Sequence, residues 1–161
     1  MSSSKPGSSG GRQARSGIGR YLASGVRSTH EVLAYLAARG VPAREAARLV
    51  SAYAARGILD DRACARLCAD HWGRQGYAAS AIRAKLAGKG LPARLIEEAV
   101  REPSRPDEEE RRARALVPPG ALRSPRRRMQ LARKLSARGF DGELIERILG
   151  EAIPTSAYAE P

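Results

Sequence analysis

The sequence predicts an all-α protein: tandem three-helix repeats of about 50 residues each, the third truncated, in an elongated right-to-left stack of about eight helices. Three observations predict it. First, Leu36-Ala37-Ala38-Arg39-Gly40-Val41, Leu86-Ala87-Gly88-Lys89-Gly90-Leu91 and Leu135-Ser136-Ala137-Arg138-Gly139-Phe140 align on glycines 50 and 49 residues apart. Second, apolar residues keep phase with those glycines: Val32, Ile82 and Leu131 before them, then Ala46, Ile96 and Ile145, then Val50, Val100 and Leu149 after them. Third, no strand pattern competes, and alanine with few aromatics (one Trp, one Phe, five Tyr) suits closely packed helices.

The elements follow in order. Val32 with Leu36, and Ile82 with Leu86, are i,i+4 pairs that stripe one face of a helix. Arg39-Gly40, Lys89-Gly90 and Arg138-Gly139 are stop signals, because a cation suits the negative helix end and glycine takes the left-handed conformation. Pro42 and Pro92 can open the next helix, where no amide donor is needed, and Asp141 can cap it in the third copy. After Gly57, Ile58-Leu59-Asp60-Asp61 turns into a third helix that ends before Gly76. Pro106-Asp107 opens its counterpart in the second copy, with Glu108, Glu109 and Glu110 preceding Arg111, Arg112 and Arg114, until Pro118-Pro119-Gly120 stops it. The predicted helices are 29–39, 43–56, 61–75, 78–89, 92–102, 106–117, 125–138 and 142–151. The organisation is then a disordered, basic Ser/Gly-rich leader (1–27), repeat 1 (28–76), repeat 2 (77–120), a truncated repeat 3 (121–151) and a disordered tail (152–161).

Net charge is +12, unevenly spread. Residues 1–27 hold five positive and no negative side chains; residues 111–138 hold ten positive and none negative; the rest holds fourteen positive against seventeen negative. An arginine-rich composition, with 25 Arg to 4 Lys, accounts for part of this as solvated surface. The basic belt at 111–138 also reads as a surface for a polyanion or an acidic protein. Its candidate partner-binding residues are Arg111, Arg112, Arg114, Arg123, Arg126, Arg127, Arg128, Arg133 and Lys134. Arg126-Arg127-Arg128 sit where the helix dipole is positive, and an anion from outside would relieve that repulsion.

Other candidate chemistry is weak. Asp60 and Asp61 could suggest paired catalytic carboxylates, but capping of the next helix explains them, and no acid/base partners are apparent. Asp60, Cys64, Cys68 and His71 share one helix face, yet span about 16 Å of axis, too far for one tetrahedral ion. Small thiols packed as hydrophobes are the preferred account. Trp72 and Tyr77 read as packing residues rather than a base-stacking platform. Ser8-Ser9-Gly10-Gly11 follows no strand and is no phosphate loop. Neither a catalytic set, a metal nor a cofactor is predicted. No membrane span or signal-peptide core is present, and the cysteines give no disulfide framework, so the expected setting is a reducing cytoplasm.

Gly57-Ile58-Leu59-Asp60-Asp61, then Gly76-Tyr77, then Ile82-x3-Leu86-x2-Lys89-Gly90-Leu91, resemble the RecX family of bacterial regulatory proteins. Leu131-x3-Leu135-x2-Arg138-Gly139-Phe140, followed by Ile145, is similar to that family's C-terminal signature. The resemblance spans residues 27–151; Cys64 stands where the family usually has an aromatic residue, and Ala78 where it commonly has glycine. It implies a non-enzymatic protein that binds the RecA filament along its groove and restrains its ATPase, strand-exchange and coprotease activities; the row of stacked repeats itself predicts an elongated monomer. Recombination, DNA repair and the SOS response would be modulated through those activities. On the same grounds Gly40, Asp60, Asp61, Gly90, Gly139 and Phe140 are family-motif structural positions. The alternative reading is a helical-repeat protein binding single- or double-stranded DNA through the basic belt at 111–138. A phosphate binder would lose affinity steeply with salt, whereas a filament regulator needs RecA for its effect.

Overall fold

The computed structural model describes residues 17–101 and 103–150, and every regular element among them is helical. A helix over residues 17–23 (α1) is followed by α2 (Thr29–Ala37), α3 (Ala43–Ala55), α4 (Asp61–Arg74), α5 (Ala79–Gly88) and α6 (Ala93–Val100). Then come α7 (Pro106–Ala115), a single 3-10 turn (Ala121–Arg123), α8 (Pro125–Ala137) and α9 (Gly142–Gly150). All eight predicted helices are present, with ends within two residues of those read from the sequence, the usual fraying margin.

One expectation is corrected. The leader is not unstructured up to residue 27, because α1 forms at 17–23 and Ile18 is wholly buried. The reason is local. Ile18, Tyr21 and Leu22 stand at i, i+3 and i+4, a short apolar stripe that the surrounding serine, glycine and arginine hide. The remainder of the leader, residues 1–16, and the tail at 152–161 lie outside the described residues.

The described residues fold as two compact units, residues 17–68 with 86–96 and residues 69–85 with 97–101 and 103–150. These limits cut across the sequence repeats, since α4, α5 and α6 each contribute to both units. In the first unit Ile18, Val32, Leu36, Val41, Ala46, Val50 and Leu59 form the core, with Tyr21, Leu22, Leu33, Tyr35, Leu49 and Tyr53 packed on it. Tyr21 and Tyr35 stack with ring centroids 4.0 Å apart, which ties α1 to α2. A capping box starts α2: Ser28 Oγ accepts from Glu31 N–H at 3.1 Å and the Glu31 carboxylate accepts from Ser28 N–H at 2.8 Å.

In the second unit the core is Ala78, Ala113, Ala121, Leu131, Leu135, Phe140, Leu144, Ile145, Ile148 and Leu149. Here α8 packs on α9 and on the 3-10 turn, and α7 packs on α9. The i,i+4 spacing of Leu131 and Leu135 buries one face of α8 and leaves Arg126, Arg127 and Arg133 exposed. Asp141 caps α9, its carboxylate accepting from Leu144 N–H at 3.0 Å.

Candidate functional site

The basic belt divides in two once side chains are placed. On α7 the arginines are occupied. Arg111 pairs with Glu108 three residues earlier, and Arg114 donates twice to Glu110 at 2.8 and 3.0 Å. Arg112 is half-buried and donates to the carbonyls of Tyr77, at 3.2 Å, and Pro103. Its burial pulls the guanidinium pKa down, against the raising effect of Glu109 and Glu108. Arg112 therefore fastens backbone that would otherwise lack donors, a structural duty.

Beyond α7 the cations are open. The turn Pro118-Pro119-Gly120 leads into the 3-10 turn with Arg123 exposed at its end, and α8 begins at Pro125, whose missing amide costs nothing there. Ser124 precedes it without making a side-chain cap. Arg123, Arg126, Arg127 and Lys134 are exposed and form no ion pair among the described residues. Arg133 is exposed too, with the Met129 sulfur 3.7 Å away as its one partner among the described residues, and Met129 itself is 59% exposed. Arg128 is half-buried, and its Nε is buried without a hydrogen-bond partner among the described residues. Next to these cations lies an apolar hollow of about 310 Å3 lined by Pro118, Pro119, Ala121, Leu131, Gln130, Arg127 and Lys134. So many uncompensated guanidinium groups beside apolar surface form a face suited to an anionic macromolecule.

The motif positions serve the fold. Gly40, Gly90 and Gly139 take φ of +71°, +68° and +86°, where a side chain is strained. Asp60 caps α4, accepting from Ala63 N–H at 3.0 Å. Asp61 reaches out of its own helix and accepts from Thr29 N–H at 2.7 Å, at the start of α2. Glu109 does the same for α5, accepting from Ala79 N–H at 3.0 Å. Phe140 is 5% exposed in the core of the second unit.

Among the described residues no three His, Cys, Asp or Glu side chains come together in a way that could hold a metal. Cys64 is buried, and desolvation, then the neighbouring Cys68, pushes its thiol up to about 12, which disfavours the thiolate form. Trp72 and Tyr77 are half-buried rather than core. Lys85 Nζ lies 4.5 Å from the Tyr77 ring centre and 5.5 Å from that of Trp72, and the Arg138 guanidinium lies 4.9 Å from Tyr77. With cations already against these rings, they offer no free platform for bases. Sequence reasoning missed Ser28, a fully buried polar residue. The Ser28-x-x-Glu31 pattern ahead of Val32 was the signal that could have found it.

No protein-family profile matches the chain. It is similar to the regulatory protein RecX of Chromohalobacter salexigens, with 33% identity over 137 residues that cover 83% of this chain and 88% of that one. Its fold is similar to that of the crystal structure of RecX from Lactobacillus salivarius, with a TM-score of 0.71 and 17% identity over 87% of this chain and 94% of that one. A second crystal structure of a RecX regulatory protein superposes with a TM-score of 0.67 and 20% identity, covering 86% of this chain and 71% of that one.

Proposed function

The chain belongs to the RecX family of regulatory proteins, and from that membership we propose that it binds the RecA nucleoprotein filament and inhibits its ATPase, strand-exchange and coprotease activities. Recombination, DNA repair and the SOS response are the processes it would modulate, in the cytoplasm where the filament forms. The observation that carries the reading is the 33% identity to a RecX regulatory protein over 137 residues, which cover 83% of this chain and 88% of that one. The open cations Arg123, Arg126, Arg127 and Lys134 support it from below, because a nucleoprotein filament presents phosphates and carboxylates together. The protein acts by occupying the filament as a monomer, without chemistry of its own. That agrees with Asp60 and Asp61 being committed to helix starts and Cys64 to packing.

A second reading has one specific observation behind it. The uncompensated charge on α8 and the 3-10 turn would bind DNA phosphates with or without RecA. The test is a titration of the protein into RecA's single-stranded-DNA-dependent ATP hydrolysis. Inhibition at substoichiometric to near-stoichiometric ratios, persisting when DNA is in excess, is the expected result. Inhibition that vanishes on adding excess DNA would mean that the protein only competes for DNA.

A further inference from the structure

The turn after each repeat's first helix is the same corner three times, and the structure clasps it twice. In the first unit the corner Lys89-Gly90 lies against the start of α2. Ser28 Oγ donates to the Lys89 carbonyl at 2.5 Å, and Lys89 Nζ donates to Glu31 at 2.7 Å and to the Val26 carbonyl at 3.2 Å. The fit is close enough that a Cβ at Gly90 would fall 2.2 Å from His30 Cγ. In the second unit the corner Arg138-Gly139 lies against the start of α5 in the same way. Ala78 N–H donates to the Arg138 carbonyl at 2.9 Å, Ser80 Oγ donates to the Gly139 carbonyl at 2.5 Å, and the Arg138 guanidinium donates to the Gln75 carbonyl. A Cβ at Gly139 would meet Ser80 Oγ at 2.7 Å and Ala81 Cβ at 2.8 Å. Ser28 and Ala78 are equivalent residues, each twelve before its repeat glycine.

The third such corner, Arg39-Gly40, has the same backbone. Gly40 N–H donates to Ala37 O at 2.9 Å and Val41 N–H to Leu36 O at 3.1 Å, like the corresponding bonds at Gly90 and Gly139. Yet a Cβ at Gly40 would meet nothing within 4 Å, and Ala37, Ala38, Arg39 and Gly40 are all exposed. Arg39 is folded back on its own helix, 3.6 Å from the Tyr35 ring centre, whereas Lys89 and Arg138 are half-buried in their clasps.

We propose that the Arg39-Gly40 corner is a docking site for the start of a helix in a partner protein. The Lys89-Gly90 clasp supplies the pattern for that helix: a hydroxyl cap that donates to the Arg39 carbonyl, a first turn packed on Gly40, and a glutamate three residues on that pairs with Arg39, as Glu31 pairs with Lys89. A second copy of this chain is a poor occupant. The residue of α8 equivalent to Ser28 is Arg127, flanked by Arg126 and Arg128, and these repel Arg39. The chain's own residues 1–16 carry only positive charge and fail for the same reason. Resting on the function proposed above, the partner is the RecA filament.

The experiment measures affinity of the full chain for RecA assembled on single-stranded DNA, beside inhibition of its ATP hydrolysis. Arg39→Glu should bind about tenfold or more weaker, and Arg39→Lys within about threefold, both melting like the parent. Parent-like binding and inhibition by Arg39→Glu would overturn the docking site and leave the regulatory reading standing. A parent protein that ignores the filament would overturn both. Concentration-dependent self-association of the chain alone, abolished in Arg39→Glu, would assign the corner to a second copy and overturn the choice of partner.

Discussion

Gly40→Ala and Gly90→Ala place the same side chain on the same backbone and should differ in cost by about 1–2 kcal/mol. At either site φ is close to +70°, which penalises an L-residue by about 1–2 kcal/mol. At Gly40 the added methyl enters open space, so that penalty is the whole effect. At Gly90 it lands 2.2 Å from His30 Cγ and 2.6 Å from His30 Cβ, and the start of α2 has to move away. That displacement breaks the Ser28–Lys89 hydrogen bond, a loss of about 1 kcal/mol. It also stretches the Lys89–Glu31 pair, whose side chains are only 14% and 22% exposed, for up to about 1 kcal/mol more. The total is about 2–4 kcal/mol, about 1–2 kcal/mol more than at Gly40. For a chain of this length about 2–4 °C of melting temperature is lost per kcal/mol, so Gly40→Ala should melt about 2–8 °C lower than the parent and Gly90→Ala about 2–8 °C lower still. Thermal unfolding followed by far-UV circular dichroism reads both. Equal losses would mean that the clasp around Gly90 carries no stability.

Other outcomes are open to direct measurement. Burial alone would raise the Glu31 pKa, but hydrogen bonds from Lys89 and Ser28 N–H, with the charges of Lys89 and Arg27, outweigh it and hold the carboxyl below its ordinary 4.5. Its stabilising effect is therefore complete above that value and is lost as pH falls through the lower folded pKa, so urea midpoints of the parent should drop more steeply in acid than those of Glu31→Gln. Cys64, 2% exposed with its thiol pushed up to about 12, should resist iodoacetamide at pH 8 in the native protein while Cys68 reacts, and mass spectrometry should show one fast adduct. Reversing Arg126, Arg127 and Arg128 to Glu should weaken inhibition of RecA while helix content stays, because acids suit a helix start better than cations. Parent-like inhibition by that triple variant in low salt would reduce the belt to a solvated face.

The helices were legible because their signals are local. Periodic Val32, Leu36, Ile82 and Leu86, stop glycines, and prolines or acids at the starts act within a few residues of themselves. Residues 17–23 escaped because one turn of apolar spacing is weak evidence beside so much serine and glycine. Function in side chains was harder to read wherever it depended on partners distant in sequence. Nothing local tells that Asp61 serves α2 rather than its own helix, or that Arg112 is spent on the Pro103 and Tyr77 carbonyls while Arg126 and Arg127 stay open. The clasps at Gly90 and Gly139 join residues about sixty apart, and only folding brings Ser28 to Lys89 or Ser80 to Gly139.

Co-sedimentation with RecA filaments, compared with single-stranded DNA alone at the same near-physiological salt, tests the central claim most directly. The protein should pellet with the filament and stay largely in solution with bare DNA, since screened phosphate contacts alone are weak at that salt. Equal pelleting with and without RecA, or none with the filament, would contradict that claim.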